Sequence, residues 1–151
     1  MKDKKVEIKK FKELSNVELY NILKLRSEVF VVEQQCIYND IDGLDVECFH
    51  AILKDGENIA GYLRILLKEM TFETMSIGRV LVNKDYRNLG VARKLMLSAI
   101  DYIFVELKEK EITISAQKYL VEFYKSLGFK ELSDMYMEDG IPHIDMKLDR
   151  K

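Results

Sequence analysis

Arg87-Asn88-Leu89-Gly90-Val91-Ala92 joins an apolar run over 76–82 to a long amphipathic pattern that continues to Leu107. That order reads as strand, glycine-containing loop and helix. The first amides of a helix have no partner within it, and the macrodipole puts partial positive charge behind them, so such a turn can hold a phosphate. Gly90 tolerates positive φ and lets the chain approach a ligand closely, and Arg87 adds a fixed charge at the mouth of the turn. Many strand-to-helix turns contain a glycine and bind nothing, so the turn alone leaves both readings open.

Other residues could carry proton chemistry. Leu120, Phe123, Tyr124 and Leu127 follow one helical stripe, which reads Tyr124 first as a core aromatic. Glu33, His50, His143, the aspartates at 40, 42 and 45, or water could each act as a general base. His50 alternates with Phe49 and Ala51, His143 follows Pro142 at a strand entrance, and most glutamates are solvated. Arg26, Arg64 and Arg79 each interrupt an apolar run, and a guanidinium is seldom buried without an anion. That anion is either internal (Asp42, Asp45 or Glu33) or a carboxylate or phosphate on a bound substrate. Cys36 and Cys48 have neither CxxC nor Cys/His ligand spacing, which reads as reduced thiols in a cytoplasmic protein without a metal site.

The elements that must position these groups follow from periodicity. Residues 5–9 alternate as a first strand, and Ser15 with Glu18 forms a capping box ahead of a helix over about 16–30. An irregular aspartate-rich stretch leads to a hairpin, 49–53 and 59–67, around Asp55-Gly56. After the 75–82 strand and the long helix come a strand over 111–116 and the short helix, ended by Gly128 at its C′ position. Residues 129–135 and 143–148 read as two closing strands separated by 138–142. This implies one domain over 1–151 with α+β or mixed α/β architecture around one sheet, and right-handed crossovers between parallel neighbours.

Bulk composition excludes several classes. Apolar content is 48%, charged content 33% and formal net charge −2, which argues for a folded chain and against nucleic acid as a default partner. Only Lys2-Asp3-Lys4-Lys5 and Lys9-Lys10 are locally basic. No apolar run approaches the ~20 residues of a membrane span, and no secretory signal is visible.

Arg87-x-x-Gly90-x-Ala92, between a strand and a helix, resembles the acyl-CoA-binding motif of the GNAT N-acetyltransferases, and Phe123-Tyr124-x-x-x-Gly128-Phe129 resembles that superfamily's later motif. Leu25-Arg26-x-x-Val29-Phe30-Val31-Val32-Glu33-Gln34, Asp40-Ile41-Asp42-Gly43 and Glu138-Asp139-Gly140-Ile141-Pro142-His143 resemble its ElaA-like branch. The resemblance implies a mixed, mostly antiparallel central sheet with helices on both faces and splayed central strands. It implies acetyl-CoA as acyl donor, without a metal, and direct transfer to the primary amine of a small molecule. The amides of Arg87, Asn88, Leu89, Gly90, Val91 and Ala92 would hold the pyrophosphate. The freed backbone of Val80, Leu81 and Val82 would hold the pantetheine arm and polarise the thioester, and Tyr124 would line the same site and protonate the departing sulfur. Glu33 and His143 stand as candidate bases, and Arg26, Phe30 and Arg79 as candidate acceptor contacts. Edge strands in this fold often pair in homodimers.

Arg26, Phe30, Asp42, Asp45, Arg64 and Arg79 also resemble the N-terminal pattern of acyl-homoserine-lactone synthases. Those enzymes carry a tryptophan soon after the first helix and a glutamate three residues before the later arginine. This chain has no tryptophan, and Ser76 stands at the second position. A non-catalytic acyl-CoA-binding module and a protein-directed acetyltransferase are the remaining alternatives.

Overall fold

The computed structural model describes residues 3–151; Lys2, the first of the basic N-terminal group, lies outside them. Strands β1 (Val6–Lys10), β2 (Phe49–Asp55), β3 (Asn58–Leu66), β4 (Met75–Val82), β5 (Glu111–Gln117), β6 (Lys130–Glu131), β7 (Tyr136–Glu138) and β8 (Ile141–Asp149) form one sheet. Its order is β1-β2-β3-β4-β5-β8-β6, with β7 also paired to β8. Only β4 and β5 run parallel, and the crossover between them carries α2 (Val91–Asp101). Helices α1 (Asn16–Arg26) and α3 (Val121–Ser126) complete the layers.

Side-chain alternation along β2 separates two cores. Ala51 and Leu53 face α2 and α3 in a cluster with Leu63, Leu95, Met96 and Ile112, while Ile52 joins Ile22, Phe30, Tyr62 and Leu81 under α1. Gly61 lies where α2 presses on the sheet. A Cβ there would come within 2.5 Å of Val91 Cγ1 and 2.8 Å of Leu95 Cδ1. Gly61→Ala is therefore expected to destabilise the protein by about 1–3 kcal/mol through overpacking. Thermal melting followed by circular dichroism checks this, and an unchanged midpoint would show that α2 can shift freely.

Local signals set most elements. Ser15 Oγ accepts from the Glu18 amide at 3.0 Å, and Glu18 returns the contact to the Ser15 amide at 2.8 Å, closing the capping box. The first helix does not stop at Arg26 but widens into a π-helical segment, Ser27–Glu33, and α2 does the same over Tyr102–Glu106. Neither widening is visible in the apolar spacing.

The C-terminal strands differ from the sequence expectation. Residues 129–135 do not form one strand: pairing lasts only through Lys130 and Glu131 and resumes at Tyr136. Leu132 still bonds to Asp145 O, but Ser133 Oγ accepts the Asp145 amide at 3.0 Å, replacing a backbone partner and turning the chain aside. Residues 138–142 are not a loop either. Asp139 and Gly140 take φ of 51° and 76° and make a tight two-residue turn, so Glu138 and Ile141 are already paired.

Candidate functional site

β4 and β5 share only two register pairs, Met75↔Ile112 and Ser76↔Thr113. Beyond them the strands part, and the gap opens into a cleft of about 1220 Å³ with Ile77 to Val82 along one side and Ile114, Ser115 and Gln117 along the other. A bulge helps to part them. Tyr62 faces Leu81 and Arg64 faces Gly78, so Arg79 and Val80 share Leu63 as partner. Arg79 takes φ 51°, a left-handed conformation that costs a non-glycine residue roughly 1–2 kcal/mol. Its guanidinium is held beneath: Nε lies 2.8 Å from Asp40 Oδ1 in a coulombic contact without a well-aimed N–H, and one terminal nitrogen donates to the Asp40 carbonyl at 3.2 Å.

The 87–92 turn forms one end of the cleft. Asn88 and Gly90 adopt φ of 66° and 74°, and a Cβ on Gly90 would meet nothing within 4 Å, so this backbone faces open space. Left-handed residues on either side of Leu89, ahead of an eleven-residue helix, turn amides outward, an arrangement that fits an anion. Arg87, Asn88, Gly90, Val91 and Ala92 line the cleft, whereas Leu89 points away into solvent. Arg87 already has a partner: its two terminal nitrogens grip the Glu33 carboxylate at 2.7 Å each. The hydrogen bonds and charge of Arg87 hold the Glu33 carboxyl below its ordinary range. A carboxylate so held is a poor proton acceptor at neutral pH.

Tyr124 reaches the cleft from α3 with 7% of its surface exposed, edge-on to Phe123 and Phe129. Its hydroxyl has no hydrogen-bond partner among the described residues. Burial pushes its pKa up to about 12, so the phenol stays protonated.

The three interior arginines find their anions inside the protein. Arg26, fully buried, donates to Asp40 Oδ2 at 3.0 Å and Asp45 Oδ1 at 2.7 Å, and Arg64 donates to Asp42 at 2.6 Å and Asp45 at 3.0 Å. Arg26 does not line the cleft, which corrects its expected place as an acceptor contact; Phe30 and Arg79 do line it. Three guanidiniums against three carboxylates leave this cluster neutral and rigid. His50 is likewise occupied. Its Nε2–H donates to the Asp45 carbonyl at 2.8 Å, so Nδ1 accepts from the Tyr62 hydroxyl at 2.6 Å, and neither nitrogen is free.

His143 is placed differently. It is 8% exposed, stacks on Tyr136 and lines the cleft across from Tyr124's face of the sheet. Its Nδ1 lies 2.8 Å from the Ile141 carbonyl. A carbonyl only accepts, so Nδ1 carries a proton, and in the neutral form of the ring Nε2 presents a bare lone pair. Glu138 Oε2 stands 3.6 Å from that nitrogen. Sequence reasoning did not single out Glu138, Ser115 or Tyr136, because only the tight Asp139-Gly140 turn folds them back beside His143. The Asp-Gly pair was the signal that could have found them. Among the described residues no group of three or more His, Cys, Asp or Glu side chains could hold a metal ion.

Comparison with known proteins places this geometry in a family. Residues 9–150 match the model of the acetyltransferase (GNAT) domain. The chain is 42% identical over 143 residues to a UPF0039 protein of Schizosaccharomyces pombe, covering 93% of this chain and 94% of that one. The crystal structure of Escherichia coli ElaA superposes with a TM-score of 0.88 at 36% identity, over 95% of this chain and 98% of that one. That of an acyl-CoA N-acyltransferase from Pseudomonas aeruginosa gives 0.90 at 34% identity, over 96% and 99%. The fold is that of the acyl-CoA N-acyltransferase. This chain belongs to the GNAT acetyltransferase family, in its ElaA-like branch.

Proposed function

We propose that the protein transfers an acetyl group from acetyl-CoA to the primary amine of a small molecule in the cytoplasm. The observation that carries this reading is the parting of β4 from β5 after Ser76 and Thr113, with an outward-facing 87–92 backbone at one end and an unpartnered Tyr124 hydroxyl inside. The thioester supplies the activated acyl group. The amides of 88–92 and the Arg87 guanidinium would bind its pyrophosphate, and the edge of β4 from Val80 to Val82 would take the pantetheine arm.

His143 Nε2 removes a proton from the incoming ammonium, leaving a neutral amine to attack the carbonyl carbon. The Val82 N–H meets the negative charge that develops on the carbonyl oxygen; a single donor of this kind can be worth about a hundredfold or more in rate. As the carbon–sulfur bond breaks, the Tyr124 hydroxyl gives its proton to sulfur. The surplus proton on nitrogen is then lost, and Tyr124 regains one. Glu33, the other candidate base, is better read as the resting partner of Arg87.

A thiol-release assay with acetyl-CoA against amines, amino acids, aminosugars, polyamines and peptides tests the reading. Amine-dependent release with N-acetylated product supports it. Binding of acetyl-CoA without release on any acceptor would instead make the chain a binding module, and release on peptides alone would make it protein-directed.

A second test concerns Arg87. If the pyrophosphate must displace the Glu33 carboxylate, Glu33→Gln removes a competitor. The dissociation constant for CoA, measured by calorimetry, is then expected to fall severalfold at low ionic strength, with the gain shrinking in high salt as exposed charges are screened. Weaker binding by Glu33→Gln would mean that the carboxylate itself helps to hold the ligand.

A further inference from the structure

The face of the sheet carrying His143 also carries Ser115, Tyr136 and Asp145, because the β5–β8 register sets Ser115 opposite Asp145 and Gln117 opposite His143. The direction of each hydrogen bond there can be assigned. Tyr136 donates its hydroxyl proton to Asp145 Oδ1 at 2.6 Å, since a carboxylate oxygen accepts. Tyr136 also makes a very short contact with Ser115 Oγ. Its single proton being committed, Ser115 must be the donor in that contact. Ser115 therefore has no proton left for Glu138 Oε2, which lies 3.5 Å from its oxygen. In the neutral ring, whose Nδ1–H goes to Ile141, His143 Nε2 carries no proton either.

Three acceptors thus converge on one part of the cleft: Ser115 Oγ, Glu138 Oε2 and His143 Nε2, with the carboxylate 3.5 Å and 3.6 Å from the other two. With the imidazole neutral, none of the three donates to another. Lone pairs at this separation repel unless a donor group bridges them, and the buried His143 side chain is little open to water. A primary ammonium supplies three N–H donors and one positive charge. We propose that Ser115, Glu138 and His143 form the recognition site for the acceptor's ammonium group, with Tyr136 and Asp145 as positioning residues that hold Ser115 as an acceptor. The proposal rests on the acyltransferase reading for its biological meaning, but its chemistry is independent of the donor.

The site selects by N–H count as well as charge. A primary alkylammonium satisfies all three acceptors, a quaternary ammonium none. Proton transfer to His143 then moves the positive charge from nitrogen to the imidazolium, beside Glu138, and releases the amine. The left-handed Asp139 and Gly140 make the tight turn that sets the Glu138 carboxylate beside His143.

The test uses the full chain and ring-nitrogen NMR. The protein has two histidines, and His143→Gln assigns their signals. His50, with both nitrogens internally bonded, is the control. Titration with n-butylammonium chloride is expected to shift the His143 ring signals and leave His50 still, while tetramethylammonium chloride shifts His143 less than a fifth as far. Ser115→Ala, Glu138→Gln and Tyr136→Phe are each expected to weaken n-butylammonium about tenfold, the loss of one charge-assisted hydrogen bond. Tyr136→Phe keeps the ring on His143 and removes only the hydroxyl, so a merely structural role would leave the affinity unchanged. Equal shifts with the two salts, or none with either, overturn the proposal. If n-butylammonium binds as described but no amine is acetylated, the ammonium site stands and the acyltransferase reading fails. If amines are acetylated while Ser115→Ala and Tyr136→Phe keep the wild-type KM, the ammonium site fails and the acyltransferase reading stands.

Discussion

Tyr124→Phe is expected to lower kcat for amine-dependent thiol release by about a hundredfold or more, with the melting temperature and the KM for the acyl donor little changed. General acid catalysis by a positioned side chain contributes ~10²–10⁴ in rate, and a hundredfold corresponds to about 2.7 kcal/mol of barrier. The stability half of the expectation follows from the hydroxyl's lack of a partner: removing it leaves no donor or acceptor stranded, and the ring keeps its edge contacts with Phe123 and Phe129. A phenol whose pKa burial has raised to about 12 looks a weak acid for a thiolate. The same dry surroundings also penalise a sulfur anion, so donor and acceptor are raised together and the transfer stays matched. Because the acid form persists below pH 12, Tyr124 should add no alkaline limb to the kcat profile between pH 7 and 10. A variant that releases thiol at the wild-type rate would remove Tyr124 from the mechanism and return it to the core stripe of α3.

Asp45→Ala should be the most damaging single change to stability. Its carboxylate accepts from two buried guanidiniums, Arg26 at 2.7 Å and Arg64 at 3.0 Å, and sits 7% exposed. Removing one partner of a buried ion pair leaves charge without compensation, at a cost of about 3–5 kcal/mol. For a chain of this size that is a drop in melting temperature of roughly 6–20 °C. The effect should also depend on pH with a definite sign. Burial alone would raise the Asp45 pKa, but the hydrogen bond from Arg26 and the charges of both arginines outweigh it, and the folded-state value is lowered. The stabilisation is therefore fully present above the unfolded carboxyl value of ~3.9 and is lost as pH falls through the folded one. Wild type and Asp45→Ala should differ by a constant amount from pH 5 to 7 and converge below pH 4. Asp42, also lowered, and Glu18, whose burial is outweighed by Lys54, Ser15 and Lys9 to bring it to about 2, follow the same course. Melting curves across pH 2–7 check this. A constant gap down to pH 2 would mean that the network is not linked to protonation as its geometry requires.

The arginine cluster also bears on function. It ties the 40–45 loop to β3 and to the strained Arg79 of β4, and so fixes one wall of the cleft. Loosening it by Asp45→Ala should therefore affect the acceptor side before the donor side. The donor side rests instead on Gly61, which admits α2, and on Asn83, whose amide and side chain bond to Ala60 and Ile59 carbonyls at 2.8 and 3.0 Å.

The sequence by itself determined the parts of this protein that are local in the chain. The 75–82 strand, the glycine-containing turn at Gly90 and the amphipathic helix behind it follow from period and glycine placement within about thirty residues. A mixed architecture around one sheet was legible in the order of the elements, but the interrupted pairing between Lys130 and Glu138 was not, because Ser133 replaces a backbone partner there. Only the tertiary structure decided which anion each arginine meets. Asp40, Asp42, Asp45 and Glu33 are all plausible partners on charge alone, and Arg87 finds Glu33 from 54 residues away. It also decided that the Asp139-Gly140 turn is tight, which a proline two residues later disguised. The β5–β8 register then brings Ser115, Glu138 and His143 together and sets the direction of every proton around them. Hydrogen-bond direction depends on which acceptor already occupies a group's single proton, and that depends on neighbours that no local pattern in the chain specifies.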